Sequence, residues 1–293
     1  MFREDELDFE YQLDRYRLCL TGEPSHDQYW HHQAHDMQAL VVGDALRDLM
    51  GAAVMYSSRV QDGEPLAHLR YGVGRRSKTL WLSIRNLTRL VPPDRESPMA
   101  QEEVDETARD LNVIYINIRG LMDNLAWAVV HQFGSVKTRE LKPAAVGLFR
   151  KMIAQDDALM PLATTLDPYR KWDTEMAQRR DPAAHRIPLS VPPAVFDEAS
   201  QQEWLDRKAD YDAAMERALD LVRDRHADSD EAFRRVHEAS ARMEAVGRFM
   251  PWFHHHYDDG QYPIYPTVPQ DLAMMLKVSA RVFEFMDGHL SAE

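Results

Sequence analysis

The chain has 293 residues, 44% hydrophobic and 28% charged, the range of a folded domain, which excludes global disorder and fibrous repeats. Its 12 glycines are few and its 15 methionines many. With few Val, Ile and Thr clusters, this composition excludes a strand-rich barrel or sandwich and predicts an all-α fold. A formal net charge of −13 opposes general binding to nucleic acid or anionic membrane, so neither DNA nor a membrane is expected as a partner.

The N-terminal stretch MFREDELDFEYQLDRYRLCL predicts a helix over residues 3–20. Its acids stand where a signal peptide carries basic residues. The single cysteine, Cys19, allows no internal disulfide and no CxxC zinc site. A cytoplasmic location is expected. After the break at TGEPS, Ser25 and Gln28 have capping-box spacing. The helix that follows is predicted to reach Arg59, with Met37, Val41, Ala45, Leu49, Ala52 and Tyr56 on its buried face. Gln61–Pro65 and the pair Gly72/Gly74 predict a loop, followed by a helix over about 76–90. No 18-residue apolar run stands out, so no membrane span is expected.

Ser97-Pro98 reads as an N-cap with proline at the first helical position. Leu111, Ile114, Ile118, Met122, Leu125 and Val129 then recur at spacings of three and four, the buried stripe of a long helix ending near Phe133-Gly134. Residues 144–155 and 167–180 are predicted to be helical. Pro188, Pro192 and Pro193 forbid regular helix around IPLSVPP. A helix pair is predicted over 198–249 with a break at His226–Asp230. The segment WFHHHYDDGQYPIYPTVP reads as an aromatic, proline-rich loop. Thr267 and Gln270 have capping-box spacing and open a last helix to about Asp287, where Met274, Met275 and Met286 read as core filler. The expected architecture is an antiparallel helical bundle of long helices with an additional C-terminal helical layer. It forms one domain over 1–293, with a subdivision near the prolines into a core bundle (1–190) and a C-terminal extension (191–293).

Charge is unevenly distributed. From Pro65 to Pro93 there are six basic residues (Arg70, Arg75, Arg76, Lys78, Arg85 and Arg89) and no acid. From Asp197 to Glu231 there are twelve acids against five Arg and Lys. RYGVGRRSK lacks the GxxxxGK[ST] spacing of a phosphate loop. As a diffuse patch, Arg70, Arg75, Arg76 and Lys78 are candidates for RNA contact; otherwise they start a solvated helix. His31, His32, His35 and Asp36 have helical metal-ligand spacing, and His254–His256 add imidazoles. Neither completes a metal pattern, so no metal and no cofactor are expected.

Arg180, Asp181 and His185 place a fixed cation, a carboxylate and an imidazole within two turns of chain. Cleavage of RNA next to a 2′-hydroxyl needs such a set: a base for the hydroxyl proton and a cation for charge on the phosphate. No metal is required. The pattern of Arg, a polar residue and His after a short gap resembles the signature of the HEPN superfamily, as do the long amphipathic helix over 108–133 with NIRGLMDNLAW and the following motif segment. The chain is also similar to uncharacterised bacterial helical proteins with "RD…AHRIPL…PP" segments, here Arg180–Pro193. The resemblance covers roughly a third of the chain. It implies a helical bundle, a homodimer that joins two motifs, and metal-independent endoribonuclease activity. His185 would be the general base, Arg180 the stabiliser of the phosphorane-like transition state and Asp181 its support. Pro182 departs from the family pattern and predicts that the motif sits at a helix start or in a loop. Arg119, Asp123 and Asn124 would face the motif and orient His185, or else Arg119 and Asp123 form an ordinary intrahelical pair. The competing reading is a non-catalytic helical protein that binds a protein partner or small ligand, with Arg180 and His185 anchoring IPLSVPP.

Overall fold

The structure is a computed structural model that describes residues 7–8, 19, 21–142, 145–224, 228–255 and 260–290, with the side chains of Pro24, Pro182 and His185 outside that description. The helix expected over 3–20 therefore lies outside the described residues, except for Leu7, Asp8 and Cys19. The remainder is all-α, with one two-residue hairpin.

Helix α1 spans Pro24–Ser57. The expected Ser25 cap does not form: the N-cap is Glu23, without a side-chain bond. Asp27 instead closes the turn that leads into the helix, accepting from the backbone N–H groups of Thr21 (2.8 Å) and Gly22 (3.0 Å). Ala45, Leu49, Ala52 and Tyr56 are buried as the periodicity predicts, but Met37 is 44% exposed. The buried face instead enters through Ala34, Gln38 and Val42.

The expected loop at Gly72/Gly74 is helix. Residues Glu64–Ala67 (α2) run into a π-helical segment, His68–Val73, and then into α3, Gly74–Leu90. Two glycines inside a helix cost about 1 kcal/mol each. Burial of Leu69 and Val73 offsets that cost. Gly72 has a packing role, because a Cβ there would collide with the Asn124 amide.

Helix α4 spans Gln101–Phe133 and starts three residues later than a Ser97 cap predicts. Arg95 explains the delay. It donates to the carbonyls of Leu90, Ser97 and Pro98 and pairs with Glu103 at 2.6 Å, so residues 91–100 close as a loop around one guanidinium. All six predicted stripe residues, Leu111 to Val129, are buried. By length and composition α4 passes for a membrane span, with a window hydropathy of 1.2, yet over half of that window is buried within the bundle.

Beyond α4 the chain breaks into short helices, α5 (Val136–Arg139), α6 (Lys151–Ala154) and α7 (Met160–Leu166). In the described part of the stretch expected as helix over 144–155, α-helix is limited to the single turn of α6. Asp156 organises this stretch. Burial pushes its carboxyl up, but bonds from Thr138, Ser135 and Ala158 outweigh burial and hold it below the usual range. After a 3₁₀ turn at Asp167–Tyr169, α8 runs Arg170–His185. Pro182 therefore does not start a helix; it falls in the last turn, where it removes a single backbone bond.

Helices α9 (Glu198–Arg223) and α10 (Ser229–Glu244) form a hairpin with its own small core of Ala218, Ala232 and Val236. Asp197 and Ser200 cap α9 reciprocally at 2.8 Å. Strand β1 (Trp252–Phe253) pairs antiparallel with β2 (Tyr262–Pro263), register Trp252↔Pro263. Ser190 bridges His254 and Val195 bridges Arg248, so IPLSVPP is extended, as its prolines require. The last helix, α11 (Ile264–Leu290), is interrupted at Tyr265 and continues in the main core with α1, α3 and α4.

Three elements meet at Asp271 of α11. It accepts from Tyr115 Oη (3.0 Å) on α4, and from Trp172 Nε1 (2.9 Å), Arg179 Nε (2.8 Å) and Arg179 Nη2 (2.7 Å) on α8. The side chains of Arg179 and Asp271 are 11% and 4% exposed. Removing one partner of a buried pair strands the other charge. Asp271→Ala is expected to cost about 3–5 kcal/mol in urea unfolding monitored by circular dichroism. A loss under about 1 kcal/mol would show that the pair is not a structural keystone.

Candidate anion site on the central helix

Helix α4 has a second stripe besides its apolar one. Asn117, Gly120, Asp123, Asn124, Trp127 and His131 recur at three and four and are each half-buried. The α2–α3 segment lies against this stripe. Asn117 Nδ2 donates to the carbonyl of Val113 (2.8 Å), which leaves its Oδ1 to accept from Arg76 Nη1 (2.9 Å). Gly120 makes the room, since a Cβ there would strike the Arg76 guanidinium.

One turn along, Arg119 reaches two carboxylates. Its Nη1 donates to Asp173 Oδ1 on α8 at 2.8 Å, and its Nε lies 3.5 Å from Asp123 Oδ1. The expected intrahelical pair of Arg119 and Asp123 thus exists, within a larger cluster. Gly147 lies alongside: a Cβ there would be 3.1 Å from Arg150 Cγ and 3.8 Å from Arg119 Nη2. Arg180, one residue past the core-facing Arg179, pairs with Asp181 at 3.0 Å and keeps 24% of its side chain exposed.

These charges converge on Asp123. Burial pushes its carboxyl above the usual range, while Arg119, Arg180, Arg76 and Arg150 pull it down without prevailing. Burial likewise raises Asp173, against Arg119 and with added repulsion from Asp123. Arg119, Arg180, Arg76 and Arg150 thus all act on Asp123, while Arg119 also holds Asp173 and Arg180 holds Asp181. The cluster carries one surplus positive charge when all three acids are ionised, and more when Asp123 takes up a proton. Such a cradle suits an oxyanion with forked acceptors.

The structure brings Arg76, Arg119, Asp123 and Arg180 together, with Asp181 on Arg180 and Asn124 on the next turn of α4. Arg70, Arg75 and Lys78 are exposed along the π segment and α3, with Arg75 4.9 Å over the Tyr71 ring. His185 ends α8, but its side chain lies outside the described residues. Arg150 and Asp173 were not among the sequence candidates; neither has a local motif, and only the packing of α8 and the 147–150 turn on α4 reveals them. Among the described residues, His31, His32 and His35 form no group of metal-ligand type with a carboxylate. His35 bonds Gln38 (3.2 Å) and stacks on Tyr265 (5.7 Å). His255 contacts the Ile187 carbonyl at 3.1 Å, and His256 lies outside the described residues.

A carboxyl held above its unfolded pKa contributes stability that is present when protonated and lost as pH rises through the folded value. Asp123→Asn makes that neutral state permanent. The variant is expected to be more stable than wild type at pH 7, on the order of 0.5 kcal/mol after solvent screening. The difference is expected to vanish near pH 3, where both acids are protonated. Urea unfolding at the two pH values checks this, and an Asn variant less stable at pH 7 would contradict the sign.

No protein-family model, no curated protein and no solved structure matches this chain.

Proposed function

We propose that the arginine cluster is a phosphate-binding site that holds RNA, and that Arg180 and His185 carry metal-independent cleavage next to it. The single observation behind this reading is that Arg180, picked out by its sequence pattern, acts on the same half-buried carboxyl, Asp123, as Arg76, Arg119 and Arg150. In the proposed reaction His185 takes the proton from a ribose 2′-hydroxyl. The freed oxygen attacks the adjacent phosphorus, and the bond to the 5′-oxygen breaks as that oxygen takes a proton from water, giving a 2′,3′-cyclic phosphate and a 5′-hydroxyl. Arg180 offsets charge on the phosphoryl oxygens, and Asp181 holds Arg180. Arg70, Arg75 and Lys78 extend the positive field along α3.

Single-stranded RNA binding measured against salt tests the site. Arg76→Gln with Arg180→Gln is expected to lower the slope of log affinity against log salt by roughly 1.4, about 0.7 per lost phosphate contact. Wild-type affinity is expected to rise on acidification as Asp123 and Asp173 lose charge. Cleavage is expected to persist in EDTA and to vanish in His185→Ala while binding remains. RNA binding indifferent to both arginines would sink the reading in favour of a non-catalytic interaction protein.

A homodimer is part of the proposal, supported by the outer face of α1. Met37, Leu40, Asp44, Arg47, Gly51 and Val54 are all exposed, at the three-and-four spacing of a helix-pairing seam. The order is self-complementary. Asp44 and Arg47 pair with each other within the helix; in an antiparallel pair centred between them, each also comes opposite the other's counterpart in the second copy, Leu40 meets a glycine and Met37 meets a valine. A Cβ at Gly51 would meet open space, so the glycine leaves room for the Leu40 of the other copy. An adjoining groove of about 350 Å³ between α1 and α3, lined by Leu40, Trp81 and Ile84, would be covered. Light scattering is expected to give a dimer for wild type, monomers for Asp44→Arg and for Arg47→Asp, and a dimer again for the double exchange. A monomeric wild type at high micromolar concentration would refute this assembly.

A further inference from the structure

The same stripe of α4 leads, beyond Asn124, to a second group of side chains with different chemistry. Glu64 opens α2, His68 stands four residues later at the start of the π segment, and His131 lies in the last turn of α4. Their ligand-type atoms all lie within 4.8 Å of one another. His68 Nε2 is 3.4 Å from Glu64 Oε2. The two imidazole rings are nearly parallel, 5.9 Å apart at 7°, and the indole of Trp127 stacks on both, 6.0 Å from His68 and 5.0 Å from His131.

The hydrogen bonds determine where the protons are. Asn124 Nδ2 donates to the Gly120 carbonyl at 2.5 Å, which orients the amide and turns Oδ1 towards His68. His68 Nδ1 lies 3.0 Å from that Oδ1, so Nδ1 carries the proton. That turns His68 Nε2 to the side of the Glu64 carboxylate. With His131 beside them, one carboxylate oxygen and two imidazole nitrogens lie together as three ligand-type atoms.

We propose that Glu64, His68 and His131 bind a divalent transition-metal ion of the zinc class, with Asn124 as the residue that positions His68. Two histidines and a carboxylate are a donor set for zinc with a fourth position open to water or substrate. Four-coordinate zinc with bonds near 2.0–2.1 Å needs ligand atoms about 3.3 Å apart, and Glu64 and His68 are already at that separation. An imidazole whose second nitrogen donates to an oxygen is the usual outer support of a metal-bound histidine. The backbone agrees with this assignment. A π-helical turn is rare and concentrates at functional sites, and here it begins at His68. Gly72 lets that turn approach the Asn124 amide that aligns the ring. The site does not depend on the phosphate reading, which assigns no step to a metal.

The test is a calorimetric titration of chelator-stripped protein with Zn²⁺, repeated with Co²⁺ while recording its absorption. The expected result is one equivalent bound more tightly than about 1 μM, a tetrahedral-type cobalt spectrum and a raised unfolding midpoint with metal. His68→Gln and His131→Gln are expected to weaken binding at least about 100-fold, and Asn124→Ala by about 10–100-fold. His31→Gln with His32→Gln should change nothing. Glu64→Gln, at an exposed position, decides the matter should a histidine variant fail to fold; it is expected to bind at least about tenfold more weakly. Absence of saturable binding by wild type, or binding that survives both His68→Gln and His131→Gln, would overturn the proposal.

Discussion

The arrangement of the bundle turns on one carboxylate. Asp271 takes four donors from three side chains, two on α8 and one on α4. A buried ion pair is weak evidence for stability in itself, because removing two charges from water offsets most of their attraction. Its strength here lies in specificity. Asp271 is satisfied only when α8 presents both Trp172 and Arg179, which are seven residues apart and on the same helical face. That requirement sets the rotation of α8 about its axis. With Arg179 turned inward and its guanidinium 5.7 Å from the Tyr262 ring, Arg180 is turned about 100° away, to the side where it acts on Asp123. The direction of the candidate catalytic arginine thus follows from a residue more than ninety positions further along the chain.

Close approach is the second constraint. The polar stripe of α4 is usable because its neighbours come nearer than side-chain contact normally allows. Gly120 admits the Arg76 guanidinium, Gly72 brings the π segment onto Asn124, and Gly147 lies against Arg150. Gly72 and Gly120 cost local stability within their helices, and each stands where a polar side chain of another segment passes. Both lie between α2–α3 and α4, at one border of the arginine cluster and beside the group of Glu64, His68 and His131.

Much of the fold was legible because periodicity records burial. The α4 stripe from Leu111 to Val129 and the irregular IPLSVPP segment follow from spacing and proline chemistry alone. Misreadings arose where tertiary contacts overrode local signals. Gly72 and Gly74 read as a loop, since the packing of Leu69 and Val73 that favours helix there is invisible locally. Ser97 read as a cap, because nothing in the sequence announces that Arg95 will hold its carbonyl. Met37 read as core from its place in a three-and-four series, but α1 is apolar over more than one face. The candidate site was half legible. Arg180 and Asp181 stood out as a motif and Arg119–Asp123 as a pair, whereas Asp173 and Arg150 have no signal beyond the tertiary structure. Glu64 and His68 do have helical ligand spacing, and the loop expectation concealed it.

Helix α4 therefore serves two solvents at once. Its apolar stripe supplies the core, and its polar stripe is pressed against segments that remove much of the water from Asp123 and Asn124. A sequence selected only for stability would place alanine or leucine along such a half-buried stripe, where propensity and burial agree. Instead, the carboxyls of Asp123 and Asp173 are held above their usual range despite neighbouring arginines, a conflict between burial and charge that the bundle does not need for its core. Perturbed acids beside a cluster of fixed cations are the arrangement on which the proposed phosphate site rests. The bundle tolerates that conflict because the opposite stripe of the same helix, and the Asp271 network at Tyr115, hold α4 in place independently of it.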